Sequence, residues 1–115
     1  MTVTIWHNPR CSKSRQTLAL LRDNGVEPAI VEYLKAPPDA AALKAVLKKL
    51  GLKPRDLMRK GEAAYKERGL ADPALTDEAL IEAMVADPVL IERPVVVKGG
   101  KAALGRPPEA VLDIL

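Results

Sequence analysis

Val3-Thr4-Ile5-Trp6-His7-Asn8-Pro9-Arg10-Cys11-Ser12-Lys13-Ser14-Arg15 is the stretch whose reading decides the fold. Val3 to Trp6 is a short apolar run that reads as a strand buried on both faces. From Ser12 to about Asn24, the residues Leu18, Ala19, Leu20 and Leu21 fit a helix, and Gly25 suits its C-terminal stop. Cys11 therefore sits where a strand hands over to a helix. Ala29 to Tyr33 reads as a second strand. Strand, helix and strand in this order make a β-α-β unit, with parallel strands and a right-handed crossover.

Outward from this unit, Pro37-Pro38 breaks the pattern and Asp39 can cap a new helix. Leu43, Val46, Leu47 and Leu50 share one face of that helix, and Gly51 ends it. Pro54 suits the first position of a further short helix through Leu57 and Met58. Gly61 to Pro73 is polar and mixed, with no clear period. Thr76, Asp77 and Glu78 read as a helix start, Leu80, Ile81 and Met84 as its apolar stripe, and Asp87-Pro88 as its end. Val95 to Val97 is a third strand, Gly99-Gly100 a hairpin turn, and Lys101 to Leu104 a fourth strand. Pro107-Pro108 opens a final helix with Val111, Leu112 and Leu115. The order predicts an α/β fold of thioredoxin type: a mixed four-stranded sheet built as β-α-β, a helical insertion over about 39–88, then β-β-α. One domain spans 1–115.

At 115 residues and 48% hydrophobic content the chain can bury a core without disulfides or metals. Aromatic residues are 3% with no Phe, so Leu, Val, Ile and Ala must build that core. A formal charge of +3 is too small to imply nucleic-acid binding by itself. The single cysteine rules out an internal disulfide framework and suits a reducing, cytoplasmic setting. The N-terminal apolar run is too short for a signal peptide, and no stretch approaches the ~20 residues of a membrane span. No bound metal or tightly held cofactor is expected.

The chemistry gathers at Cys11. Unpaired N–H groups at a helix N-terminus, with the helix dipole, stabilise an anion there. Arg10, Lys13 and Arg15 add positive charge. Both effects favour the thiolate, which is the nucleophilic form. A lone cysteine can also be an inert small hydrophobe, but its neighbours here are Pro, Arg, Ser and Lys. His7, four residues upstream, can supply a charge or a proton, or simply pack. Ser14 stands where dithiol redox proteins place a second cysteine; its hydroxyl can donate to the thiolate but cannot form a disulfide. Any disulfide made in turnover must therefore involve another molecule.

Three arginines stand out elsewhere. Arg93 precedes Pro94 just before the third strand, where thioredoxin-type folds face the thiol across a cis peptide. Arg106 follows Gly105 at the end of the fourth strand, and Arg59 lies near the end of a short helix. Planar guanidinium forks suit a tetrahedral oxyanion if the fold gathers them.

The His7–Arg15 stretch, Tyr33-Leu34-Lys35-Ala36-Pro37-Pro38, Leu57-Met58-Arg59-Lys60, Glu92-Arg93-Pro94 and Gly105-Arg106-Pro107 together resemble the glutaredoxin-dependent arsenate reductase (ArsC) family nearly end to end. The resemblance implies a thioredoxin-like fold with Cys11 as nucleophile. It implies arsenate held by Arg59, Arg93 and Arg106, with His7 and Ser14 supporting the thiolate. It also implies glutathione as co-substrate and glutaredoxin as protein partner, with neither nucleic acid nor membrane involved. Two alternatives remain open: a non-catalytic Spx-like regulator that binds RNA polymerase, and a general glutathione-dependent thiol oxidoreductase. The first is weakened by Ser14 in place of the second cysteine of a switch pair. The second needs the thiol but not three arginines.

Overall fold

The computed structural model describes residues 2–115. They fall into two compact units: residues up to Ala36 together with Arg93–Leu115, and Pro37–Glu92.

The first unit holds the sheet. Strands β1 (Val3–Trp6), β2 (Ala29–Val31), β3 (Val95–Lys98) and β4 (Lys101–Leu104) lie in the order β2-β1-β3-β4. β1 pairs in parallel with β2, with Ile5 opposite Ile30. It pairs antiparallel with β3, which places Trp6 opposite Val95, and β3 pairs antiparallel with β4. This is the expected thioredoxin-like α/β arrangement. β2 stops at Val31, two residues short of the Tyr33 expected from its apolar run. Lys35 and Ala36 both donate their N–H to the Glu32 carbonyl, so the backbone curls into a turn there. β3 runs one residue further than expected, to Lys98.

Helix α1 (Ser12–Asp23) packs one face on the sheet. Ser14, Thr17, Leu18 and Leu21 are its buried residues, at the three- and four-residue spacings that share a helix face. The core joins Val3 and Ile5 of β1, Leu18 and Leu21 of α1, Val96 of β3 and Val111 near the C-terminus. Burying such side chains fully contributes about 1.5–3 kcal/mol each. The final helix takes the 3-10 form over Pro108–Ile114. It packs on α1 and β4 through Val111 and Ile114.

The second unit is helical. In α2 (Ala40–Leu50), Asp39 caps the start: its carboxylate accepts from the Ala42 N–H at 2.8 Å. Gly51 ends the helix at φ +69°, a left-handed conformation that glycine adopts without a Cβ penalty. A 3-10 turn covers Pro54–Leu57. Within Gly61 to Pro73, where no period is legible, a short helix α3 (Ala63–Glu67) forms. It buries Tyr65, whose hydroxyl accepts from Arg55 at 3.1 Å. α4 (Asp77–Ala86) starts as expected, with the Thr76 hydroxyl accepting from the Ala79 N–H. After a second 3-10 turn, Pro88–Leu90, the backbone of Met58 bridges that of Ile91. Among the described residues no helix is long and apolar enough to cross a membrane.

Candidate active site

The turn between β1 and α1 is built by its own backbone. The Cys11 N–H donates to the Asn8 carbonyl at 3.0 Å, and the Arg10 N–H donates to the Asn8 side-chain oxygen at 3.0 Å. The Arg15 guanidinium reaches back to the Pro9 carbonyl at 2.9 Å, so α1 clamps the turn that precedes it. The result fixes Cys11 as the N-cap of α1, with extended backbone angles (φ −92°, ψ 122°). At an N-cap the side chain faces the exposed N–H groups of the next turn.

Cys11 is only 8% exposed, which would suit an inert thiol. Its surroundings decide otherwise. Burial pushes the thiol up, but the Ser14 N–H, the charge of Arg93, the Lys13 N–H and a hydrogen bond from the Arg93 side chain outweigh it. Together they hold the thiol below its ordinary value of 9.0.

Arg93 and Arg106 flank the open end of the β3–β4 hairpin, just before β3 and just after β4, and meet at this sulfur. The Arg93–Pro94 and Arg106–Pro107 bonds are both cis. Arg106 donates from Nε to the Arg93 carbonyl at 2.8 Å and from its terminal nitrogen toward Cys11 Sγ at 3.9 Å. The Gly105 N–H donates to the Pro94 carbonyl at 2.9 Å, tying the two ends of the hairpin together. Thiolate and guanidinium groups thus share one corner of the first unit. That corner can hold a small oxyanion beside a nucleophile.

His7 and Ser14 bond to each other and to the turn that carries the thiol. His7 Nδ1 and Ser14 Oγ share a hydrogen bond of 2.6 Å, and Ser14 Oγ also accepts from the Asn8 N–H at 3.0 Å. Ser14 is fully buried and His7 is 6% exposed. Burial holds the His7 ring below its usual 6.5; Glu32 opposes this, while Arg15 and Arg22 reinforce it. The ring is therefore mainly neutral near pH 7, not a source of positive charge. Ser14 also differs from expectation. Its hydroxyl is engaged with His7 and Asn8, and it is its main-chain N–H that acts on the thiolate. The reason is helical geometry: the third residue of a helix presents its N–H to the N-cap, while its side chain turns back over the preceding strand.

Arg59 belongs to the second unit. Its N–H donates to the Leu90 carbonyl at 2.7 Å. Its guanidinium pairs with Glu62 at 2.8 Å and with Glu92 at 3.9 Å. The neighbouring carboxylates are a feature that the short Arg-Lys motif did not signal.

Two residues that sequence reasoning passed over, Asn8 and Thr17, matter here, and Lys13 acts in a way its charge did not suggest. Asn8 supplies two acceptors to the turn, and the Asn-Pro pair is a turn signal that could have marked it. Lys13 contributes through its backbone, which no side-chain pattern reveals. Thr17 is fully buried, donates to the Lys13 carbonyl at 2.8 Å, and packs against Gly105.

The chain is similar to proteins of one family along nearly its whole length. The ArsC family model matches residues 6–114. The uncharacterized protein YfgD of Escherichia coli K12 is 60% identical over 114 residues, covering 98% of this chain and 96% of that protein. An arsenate reductase of Rhizobium meliloti is 50% identical over 115 residues, covering 100% of this chain and 82% of its own length. Among solved structures, the arsenate reductase from Vibrio cholerae superimposes with a TM-score of 0.98 at 52% identity, covering 100% of this chain and 98% of that one.

Proposed function

The chain belongs to the ArsC family, and on that footing we propose that it reduces arsenate to arsenite, with Cys11 as nucleophile, glutathione as co-substrate and glutaredoxin as the protein that resets it. The observation that carries this reading is the Cys11 sulfur at the N-cap of α1 with the Arg93 and Arg106 guanidinium groups beside it.

Arsenate enters this corner as a tetrahedral anion and is neutralised by Arg93 and Arg106. The Cys11 thiolate attacks arsenic: an S–As bond forms, an As–O bond breaks, and the oxygen leaves as water after protonation. A glutathione thiolate then attacks Cys11 Sγ. An S–S bond forms, the S–As bond breaks, and its electron pair stays on arsenic, which departs as arsenite. A glutaredoxin thiolate takes the glutathione from the mixed disulfide and returns Cys11 as thiolate. These last two attacks are thiol exchange and need an accessible sulfur and a good leaving thiolate. Phosphate has nearly the same size and charge and binds in the same corner, but thiols do not reduce it. His7 and Ser14 hold the turn that carries the thiol. Arg59 remains a proposed substrate contact, resting on the family resemblance and tested by Arg59→Ala.

The test is a coupled assay with arsenate, glutathione and glutaredoxin, read as NADPH loss. Wild type consumes NADPH only when arsenate is present, and Cys11→Ser, still folded by circular dichroism, consumes none. Arsenate-dependent turnover by folded Cys11→Ser would end the proposal.

A further inference from the structure

The His7–Arg10 segment that leads into Cys11 is also one wall of a cleft of about 270 Å³; Glu32, Leu34 and Lys35 form the other. The lining carries charges of both signs: Arg10 and Lys35 are exposed cations, and Glu32 is a half-buried anion. Lys35 and Glu32 pair only loosely, at 3.7 Å, with the Lys35 side chain 80% exposed; an exposed pair of this kind contributes little and yields readily to a ligand. Leu34, 43% exposed, offers an apolar contact beside them. Two cations and one anion around a small apolar surface complement a short peptide with two carboxylates and one ammonium group. The second half-reaction requires a thiol of this chemistry next to Cys11. Arg10 is the residue before Cys11, and adjacent Cα atoms are about 3.8 Å apart. A peptide resting on this segment therefore lies beside the residue that carries the sulfur.

We propose that this cleft seats the small peptide thiol, of the glutathione class, that attacks the Cys11 sulfur. The inference rests on the arsenate-reductase reading above for its place in turnover, but its test does not use arsenate. Reduced protein is mixed with glutathione disulfide. The Cys11 thiolate attacks one sulfur, the disulfide breaks, Cys11 becomes a mixed disulfide and one glutathione thiolate leaves. The rate is compared with that for hydroxyethyl disulfide, a neutral reagent undergoing the same exchange. Lys35→Glu should slow the glutathione disulfide reaction about five- to tenfold and leave the hydroxyethyl disulfide reaction unchanged. The difference should shrink in about 0.5 M salt, where the Debye length falls to a few Å. Lys101→Glu makes the same charge change at the start of β4, beside the Gly99-Gly100 turn; it should leave both rates near wild type. The cleft assignment is overturned if Lys35→Glu leaves both rates unchanged, slows both reagents equally, or is matched by Lys101→Glu. If wild type reduces arsenate with glutathione while Lys35→Glu shows no selective effect, only the cleft falls. If selective slowing is seen without arsenate reduction, the parent reading falls and the thiol site stands.

Discussion

Gly105→Ala tests the frame that holds the two arginines. A methyl group there would lie inside van der Waals contact of Thr17 Oγ1, 2.6 Å from Pro94 Cγ and 3.1 Å from Thr17 Cγ2. Neither neighbour yields cheaply: Thr17 is fully buried and its hydroxyl is held by the Lys13 carbonyl at 2.8 Å, and Pro94 is a buried ring. Forcing an extra methyl into a filled site costs about 1–3 kcal/mol. At this chain length each kcal/mol moves the Tm by roughly 3–6 °C, so thermal melts followed by circular dichroism should show a fall of roughly 3–18 °C. The consequence reaches the site, because the next residue, Arg106, bonds the Arg93 carbonyl at 2.8 Å. Displacing it should reduce arsenate turnover about tenfold or more, the cost of one charge-assisted contact of about 1.5–3 kcal/mol. Thr17→Ala removes two of the three close atoms. In that background Gly105→Ala should cost less, by about 1 kcal/mol. An unchanged Tm for Gly105→Ala, or the same loss in both backgrounds, would refute the close-packing argument.

Other consequences are equally direct. The rate of iodoacetamide alkylation against pH should have its midpoint below 9.0, and Arg93→Ala should move it upward; an unmoved midpoint would remove Arg93 from the account. Because the folded thiol titrates below its unfolded value, its contribution to stability is complete above about pH 9 and is lost as pH falls through the folded value. Urea midpoints of wild type and Cys11→Ala measured across that range should therefore converge on acidification. His7 is also depressed in the fold, so the stability it contributes is complete above 6.5 and declines as pH falls from there toward the folded value. His7→Gln should flatten that part of the profile, and an unchanged slope would place the acid sensitivity elsewhere. Asp39→Ala removes the α2 cap and should lower unfolding free energy by about 0.5–2 kcal/mol, with arsenate turnover unchanged; a urea titration equal to wild type would show the cap to be dispensable.

Local patterns made much of this molecule legible from the chain alone. The Val3–Trp6 run, the leucines after Cys11 and the stop at Gly25 announce β1 and α1, because burial on a strand or a helix face imposes its own spacing. Asp39, Gly51 and Thr76 mark helix ends because caps answer to one residue's backbone needs. The short helix over Ala63–Glu67 escaped this reading: it has fewer than two turns, and Tyr65 is its only buried residue. β2 ended early because its turn is closed by backbone bonds to the Glu32 carbonyl, which no side-chain period encodes.

What the sequence by itself determined was that a single sulfur begins a helix and that arginines stand at three distant points. Only the tertiary structure decided that Arg93 and Arg106 meet at that sulfur, at the open end of the β3–β4 hairpin. It also decided that the Ser14 hydroxyl turns to His7 and that the thiol is tuned by main-chain N–H groups. The division has a physical cause. Caps and periodic faces depend on neighbours a few residues away. The convergence of charges 82 and 95 positions along the chain from Cys11 (93 − 11 and 106 − 11) depends on strand pairing that closes the sheet.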